Sequence, residues 1–84
     1  MVEPEILEAR IRAALPDCTV VRIEDLTGTR DHFQATVVSP SFAGQTRVAQ
    51  HQLVYRALGE LMDGPVHALA ISTHTPETFK RVLK

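Results

Sequence analysis

The stretch from residue 19 to residue 39, TVVRIEDLTGTRDHFQATVVS, decides the fold of this 84-residue chain. Its first part, residues 19–25, alternates apolar and charged side chains, which is the two-residue period of a strand with one face in water. Its second part, residues 32–39, repeats that period with polar side chains between the apolar ones. Two such runs joined by a short loop around Gly28 predict a β-hairpin.

Helical patterns lie on both sides of this hairpin. Apolar residues recur every three to four positions over residues 2–15 and again over residues 46–62, which predicts two helices. Residues 66–73, VHALAIST, form a nearly continuous apolar run and predict a strand buried on both faces. The Thr-Pro-Glu sequence at residues 75–77 can cap and begin a last helix.

The order helix, strand, strand, helix, strand, helix predicts an α+β fold, αββαβα, in a single domain of residues 1–84. A strand–helix–strand crossover is right-handed and makes its two strands parallel, whereas the hairpin makes an antiparallel pair. We therefore expect a mixed three-stranded sheet with helices packed on one face.

The composition narrows the class of protein. The chain is 84 residues long, has a formal net charge of −1 and is 44% hydrophobic, which suits one small domain with a thin core. A self-sufficient multi-step enzyme is not expected at this size, and near-neutral charge weakens the case for non-specific nucleic-acid binding. The single cysteine, Cys18, favours a reducing compartment. We see neither a signal peptide nor an apolar run long enough to span a membrane, so a cytoplasmic protein is expected.

Four histidines are the most unusual chemical feature of the sequence: His32, His51, His67 and His74. Imidazole is a good ligand for zinc, copper and iron, although none of these spacings is a metal signature. His51 lies in an apolar stripe with Val48, Tyr55, Leu58 and Met62, so a core histidine with one hydrogen-bond partner is expected.

Position distinguishes the other three histidines. His32 opens a strand beside a loop, where a solvated residue and a ligand are equally good interpretations. His67 begins an apolar strand, and burying an unpaired ring there costs about 1–3 kcal/mol, so it needs a partner. His74 precedes the last helix, and we interpret it as a turn residue.

Two further features of the sequence are candidate sites. Cys18 has no cationic neighbour in sequence, so a half-buried side chain is favoured over a nucleophile. Residues 44–47, Gly-Gln-Thr-Arg, are reminiscent of the G-x-x-G loop with which KH domains clamp a nucleic-acid backbone. Because Arg47 replaces the second glycine, an ordinary helix-entry loop is favoured there.

The segments DHFQATVVSPSFAGQTRVAQHQLVYRAL and VHALAISTHTPETF resemble the BolA family. The resemblance covers nearly the whole chain from Asp25 onward and keeps the order and spacing of the family's motifs. It implies a fold similar to class II KH domains and a partnership with monothiol glutaredoxins in iron–sulfur cluster trafficking. It also implies that some bacterial members are transcriptional regulators linked to stress and cell shape.

The family picture further implies a [2Fe–2S] cluster shared between two proteins. A glutaredoxin cysteine and a glutathione thiol hold one side, and the histidine of V-H-A-L, here His67, holds the other with a loop histidine or cysteine. Residues 26–31 contain neither residue type, so His32 is the nearest candidate for the second ligand. Gln50 stands where the family commonly has Arg.

These observations lead to a principal hypothesis and two alternatives. The principal one is a non-enzymatic adaptor that binds a monothiol glutaredoxin and shares a [2Fe–2S] cluster through His67 and His32. The first alternative is a DNA-binding transcriptional regulator that uses Gly44, Arg47 and His51. The second is a structural module whose histidines are all satisfied internally. Each of these hypotheses is compatible with a homodimer.

Overall fold

The predicted hairpin forms the first two strands of the sheet. In a computed structural model, which describes residues 3–26, 28, 32–63 and 68–82, β1 (Val20–Asp25) pairs antiparallel with β2 (His32–Val38). The register places Val21 opposite Val37 and Ile23 opposite Ala35, so these four apolar side chains share one face.

The third strand completes the sheet on the other side of β2. Strand β3 (Ala68–His74) runs parallel to β2, and the strand order is β1-β2-β3. The predicted mixed three-stranded sheet is therefore confirmed. The predicted beginning of this strand, at residues 66 and 67, lies outside the described residues.

Three α-helices accompany the sheet. They are α1 (Pro4–Ala14), α2 (Arg47–Leu58) and α3 (Pro76–Val82), and short 3₁₀ turns cover Pro40–Phe42 and Gly59–Asp63. Thr46 caps the N-terminus of α2, and its Oγ1 accepts a hydrogen bond of 3.1 Å from the Ala49 N–H. The predicted helix over residues 46–62 is too long, because Gly59 has φ +53° and ends α2 at Leu58.

The core lies between α1, α2 and the inner face of the sheet. Its fully buried side chains include Leu7, Ile11, Phe33, Phe42, Val54 and Leu58. The apolar stripe expected on α2 is partly wrong, since Val48 is 68% and Tyr55 is 42% exposed. Leu58, a member of that stripe, is buried as predicted, and Val54 is buried with it, while Ala57 and Leu61 pack beside them.

Strand β3 is not buried on both faces, contrary to the expectation from its apolar run. Ala70 is exposed, and residues 69 and 71–74 are half-buried. The physical reason is that one face of the strand packs against the core, through Leu69 and Ile71, whereas Ala70 between them points to the opposite face, which is exposed.

Candidate functional site

One candidate region lies at the end of the sheet where β2 begins. His32 is the first residue of β2 and is half-buried. Its carbonyl oxygen accepts a hydrogen bond of 2.9 Å from the Leu26 N–H, which ties the two sides of the hairpin loop together. Within that loop, the Gly28 N–H donates to Asp25 Oδ1 at 2.9 Å, and Gly28 has φ +77°, a conformation that glycine adopts readily.

The parallel register of β2 and β3 bears on the predicted pairing of His32 with His67. Ala68, the residue that follows His67 in the sequence, is the Cα partner of His32. His67 itself lies outside the described residues, so the predicted ligand pair stays a prediction.

His74 lies at the opposite end of the sheet, and His51, on α2, lines a cavity together with it. His74 ends β3 opposite Val38, six positions beyond the Ala68–His32 pair, which is about 20 Å along the strand. It is therefore a strand residue and not the turn residue expected. Its ring contacts the Phe79 ring, with centroids 5.6 Å apart. The structure thus separates His32 from these two histidines.

A groove runs along β3 beside the first turns of α2 and α3. Two adjoining cavities of about 250 and 310 Å³ share Arg47, Thr73 and His74 in their walls. We call them together the edge groove, and the other lining residues are Gln50, His51, Ile71, Ser72, Thr75 and Thr78. Of the residues predicted for nucleic-acid binding, Arg47 and His51 come together here, whereas Gly44 is not part of the lining.

Gln50 fixes the geometry of the edge groove, a role that the sequence analysis missed. Its Nε2 donates to the carbonyl oxygens of Phe42 and Gln45 at 3.0 and 3.1 Å. Its Oε1 accepts a hydrogen bond of 2.5 Å from Thr73 Oγ1. One amide side chain therefore joins α2, its entry loop and β3, and no spacing in the sequence signals that connection.

His51 differs from the satisfied core histidine that was expected. Its residue is half-buried, and its Nε2 atom is buried without a hydrogen-bond partner. An unsatisfied buried nitrogen costs about 1–3 kcal/mol. A polar atom is thus left unsatisfied in a side chain that lines the edge groove.

Cys18 is remote from His32 and has the character expected of an inert thiol. It is half-buried, and burial raises its pKa, with the Asp17 charge adding to the rise and Arg12 opposing it. The next residue, Thr19, donates its N–H to the Val38 carbonyl at 2.9 Å, which places Cys18 at the His74 end of the sheet.

Residues 3–26, 28, 32–63 and 68–82 contain no group of three or more His, Cys, Asp or Glu side chains placed to hold a metal ion. Within the same ranges, no helix combines the length and the apolar character needed to cross a membrane.

The element order and the mixed sheet define a small α+β domain with a histidine at the start of its central strand. The family model described as BolA-like protein matches residues 9–78. The chain belongs to the BolA-like family.

Three comparisons illustrate this membership. BolA-like protein 1 of Bos taurus is 39% identical over 82 residues, covering 94% of this chain and 53% of that protein. The DNA-binding transcriptional regulator BolA of Vibrio cholerae is 42% identical over 55 residues, covering 66% of this chain and 52% of that protein. The chain thus spans about half the length of these curated relatives. The structure of a BolA protein homologue from Coxiella burnetii superposes with a TM-score of 0.82 at 37% identity, covering 96% of this chain and all of that one.

Proposed function

We propose that this protein is a cytoplasmic adaptor that binds a monothiol glutaredoxin and shares a [2Fe–2S] cluster with it. The observation that carries the proposal is the register at the start of β2, where His32 faces Ala68, the residue next to His67 in the sequence. The cluster is cargo shared between two proteins, and the relatives' names identify the family without identifying this partner.

The donor chemistry fits such a shared cluster. Imidazole nitrogens ligate iron, and two histidines replacing two thiolates give a Rieske-like ligand set with a raised reduction potential. In the proposed complex His67 and His32 would supply the imidazoles, while the glutaredoxin cysteine and glutathione would supply the thiolates. The contribution of this chain would be to hold His32 at the start of β2, opposite Ala68, the residue that follows His67 in the sequence.

The test is to mix the protein with cluster-loaded glutaredoxin and record visible absorption and circular dichroism. We expect a spectral change that His67→Ala abolishes and His32→Ala weakens. His74→Ala is the matched control, because it removes an imidazole at the far end of β3. If His67→Ala leaves the spectral change intact, the ligand assignment is wrong.

A pH series adds a second readout to the same experiment. Only deprotonated imidazole can ligate iron, so the spectral change should be weaker at about pH 5 than at about pH 8. A response equal at both pH values would contradict histidine ligation even if the two proteins still associate.

DNA binding is the second candidate function. It is favoured by the meeting of Arg47 and His51 in one groove and by the name of the Vibrio cholerae relative, DNA-binding transcriptional regulator BolA. The net charge of −1 weighs against it, because phosphate contacts dominate the affinity of proteins for DNA. The role predicts salt-dependent binding to duplex DNA that Arg47→Glu reduces, and absence of binding at low salt would remove it.

A further inference from the structure

The edge groove follows the outer edge of a β-strand and not one face of the sheet. Four consecutive residues of β3, from Ile71 to His74, line the first cavity. Successive side chains of a strand point to opposite faces, so a cavity lined by four in a row lies along the backbone edge. The edge of β3 away from β2 is thus one wall of the groove, and α2 is another.

One hydrogen bond identifies the backbone groups that point into the groove. The Ser39 N–H donates to the His74 carbonyl at 3.0 Å, so the backbone polar groups of His74 face β2. These groups alternate along a strand, and those of Ile71 and Thr73 therefore point away from β2. Within the described ranges, no hydrogen bond outside the regular elements engages the backbone of Ile71 or Thr73.

The charge in the groove selects an acidic ligand. Its described lining contains Arg47, His51 and His74 and no Asp or Glu. Across the described residues, Arg47 takes part in none of the ion pairs. It is also the first residue of α2, where the helix dipole disfavours a cation, so its charge does not serve helix stability.

We propose that the edge groove binds an extended acidic segment of a partner protein, which adds a strand to β3 and places a carboxylate against Arg47. Strand addition supplies backbone hydrogen bonds at Ile71 and Thr73, and the charge of Arg47 supplies selectivity. This surface is separate from the end of the sheet that holds His32, because Ile71 lies three residues along β3 from Ala68, the partner of His32.

A peptide fits this groove better than duplex DNA does. DNA affinity depends on several phosphate contacts, whereas Arg47 is the one Arg or Lys in the described lining. Outward backbone groups of a strand also match the N–H and C=O spacing of a second extended chain.

The experiment uses the full chain, labelled with ¹⁵N, and a blocked peptide of alternating valine and glutamate, about eight residues long. We expect amide shifts concentrated at residues 71–75 and in the first turn of α2. Arg47→Gln should weaken binding about tenfold, as expected for loss of a charge-assisted hydrogen bond. Arg56→Gln is the matched control, since it removes an exposed arginine of the same helix outside the groove.

Two modified peptides test strand addition itself. N-methylation at alternate residues blocks the N–H groups on one edge of the peptide, so one of two complementary N-methylated peptides should lose binding and the other should keep it. Equal affinities for the two would overturn the proposal, as would equal affinities of the parent chain and Arg47→Gln. Absence of binding by the unmodified peptide would also overturn it.

Two other occupants of the edge groove, duplex DNA and a second copy of this chain, would give distinct results. If duplex DNA shifts residues 71–75 and the peptide does not, the groove is a nucleic-acid surface and the proposal is wrong. If sedimentation shows a dimer that Arg47→Gln dissociates, the occupant is a second copy of this chain, which overturns the proposal equally.

Discussion

At the scale of single residues, Asp17 connects two loops through its carboxylate. Ser39 Oγ, in a fully buried residue, donates to Asp17 Oδ1 at 2.8 Å, and the Ser41 hydroxyl donates to Asp17 Oδ2. The hydrogen bond from Ser41, followed by that from Ser39, lowers the pKa of Asp17 below its ordinary value of 3.8. The ionised carboxylate is therefore favoured in the folded state.

The lowered pKa of Asp17 predicts a specific dependence of stability on pH. A group whose pKa is lowered by folding contributes stability above its unfolded pKa, and the contribution is lost as the pH falls through the folded pKa. Asp17→Asn should therefore lower the urea midpoint at pH 7, and the difference from the parent chain should shrink below about pH 4. A difference that is constant down to about pH 2 would contradict the role of the charge.

For His51, the predicted effect of substitution on stability has the opposite sign to that for Asp17. Because its buried Nε2 has no partner, His51→Leu removes an unsatisfied polar atom and should leave stability unchanged or raise it by up to about 1 kcal/mol. Urea unfolding followed by far-ultraviolet circular dichroism measures the change. His51→Asn keeps a polar side chain at the position and should show no gain. A loss above about 1 kcal/mol in His51→Leu would mean that the ring packs better than an apolar side chain.

At the scale of elements, Gly59 sets the length of α2. It has φ +53° and ψ −126°, and its N–H donates to the Tyr55 carbonyl at the end of the helix. A Cβ built at Gly59 meets no atom within 4 Å, so the cost of Gly59→Ala is conformational and not steric. We expect a loss of about 1–3 kcal/mol in the free energy of unfolding, measured with urea.

Chemical synthesis offers the control for Gly59. A D-alanine at position 59 adds the same methyl group but favours positive φ, so it should retain most of the stability that L-alanine loses. If both enantiomers destabilise equally, the methyl group and not the backbone conformation is responsible.

The elements also show what the sequence could predict. The alternation in residues 19–39 fixes the hairpin, because a one-residue slip would turn every apolar side chain outward. The predicted length of α2 and the predicted burial of Val48 were wrong. Apolar spacing locates a helix, but it does not report which positions the neighbouring elements cover. The edge position of β3 depends on strand order, which apolar content does not encode.

At the scale of the molecule, the candidate sites depend on register. Sequence spacing singled out His32 and His67 as strand residues, and only the parallel pairing of His32 with Ala68 relates the two positions. The edge groove was not predictable, because it brings together residues of α2, β3 and α3 and because α2 and β3 are joined by a hydrogen bond between Gln50 and Thr73. Such contacts join residues that are distant in sequence and carry no periodic signal.

The two proposed surfaces should act independently of one another. Three residues of β3, about 10 Å, separate Ala68 from the nearest groove residue, Ile71, and sites that far apart generally show additive effects. The double variant His67→Ala with Arg47→Gln should therefore lose the cluster-dependent spectral change as fully as His67→Ala does. It should bind the acidic peptide as weakly as Arg47→Gln does, within about a factor of two. A difference above about fivefold between the peptide affinities of the double variant and Arg47→Gln would show that the two ends of β3 are coupled. Because the two sites do not touch, the coupling would then pass through the packed elements between them.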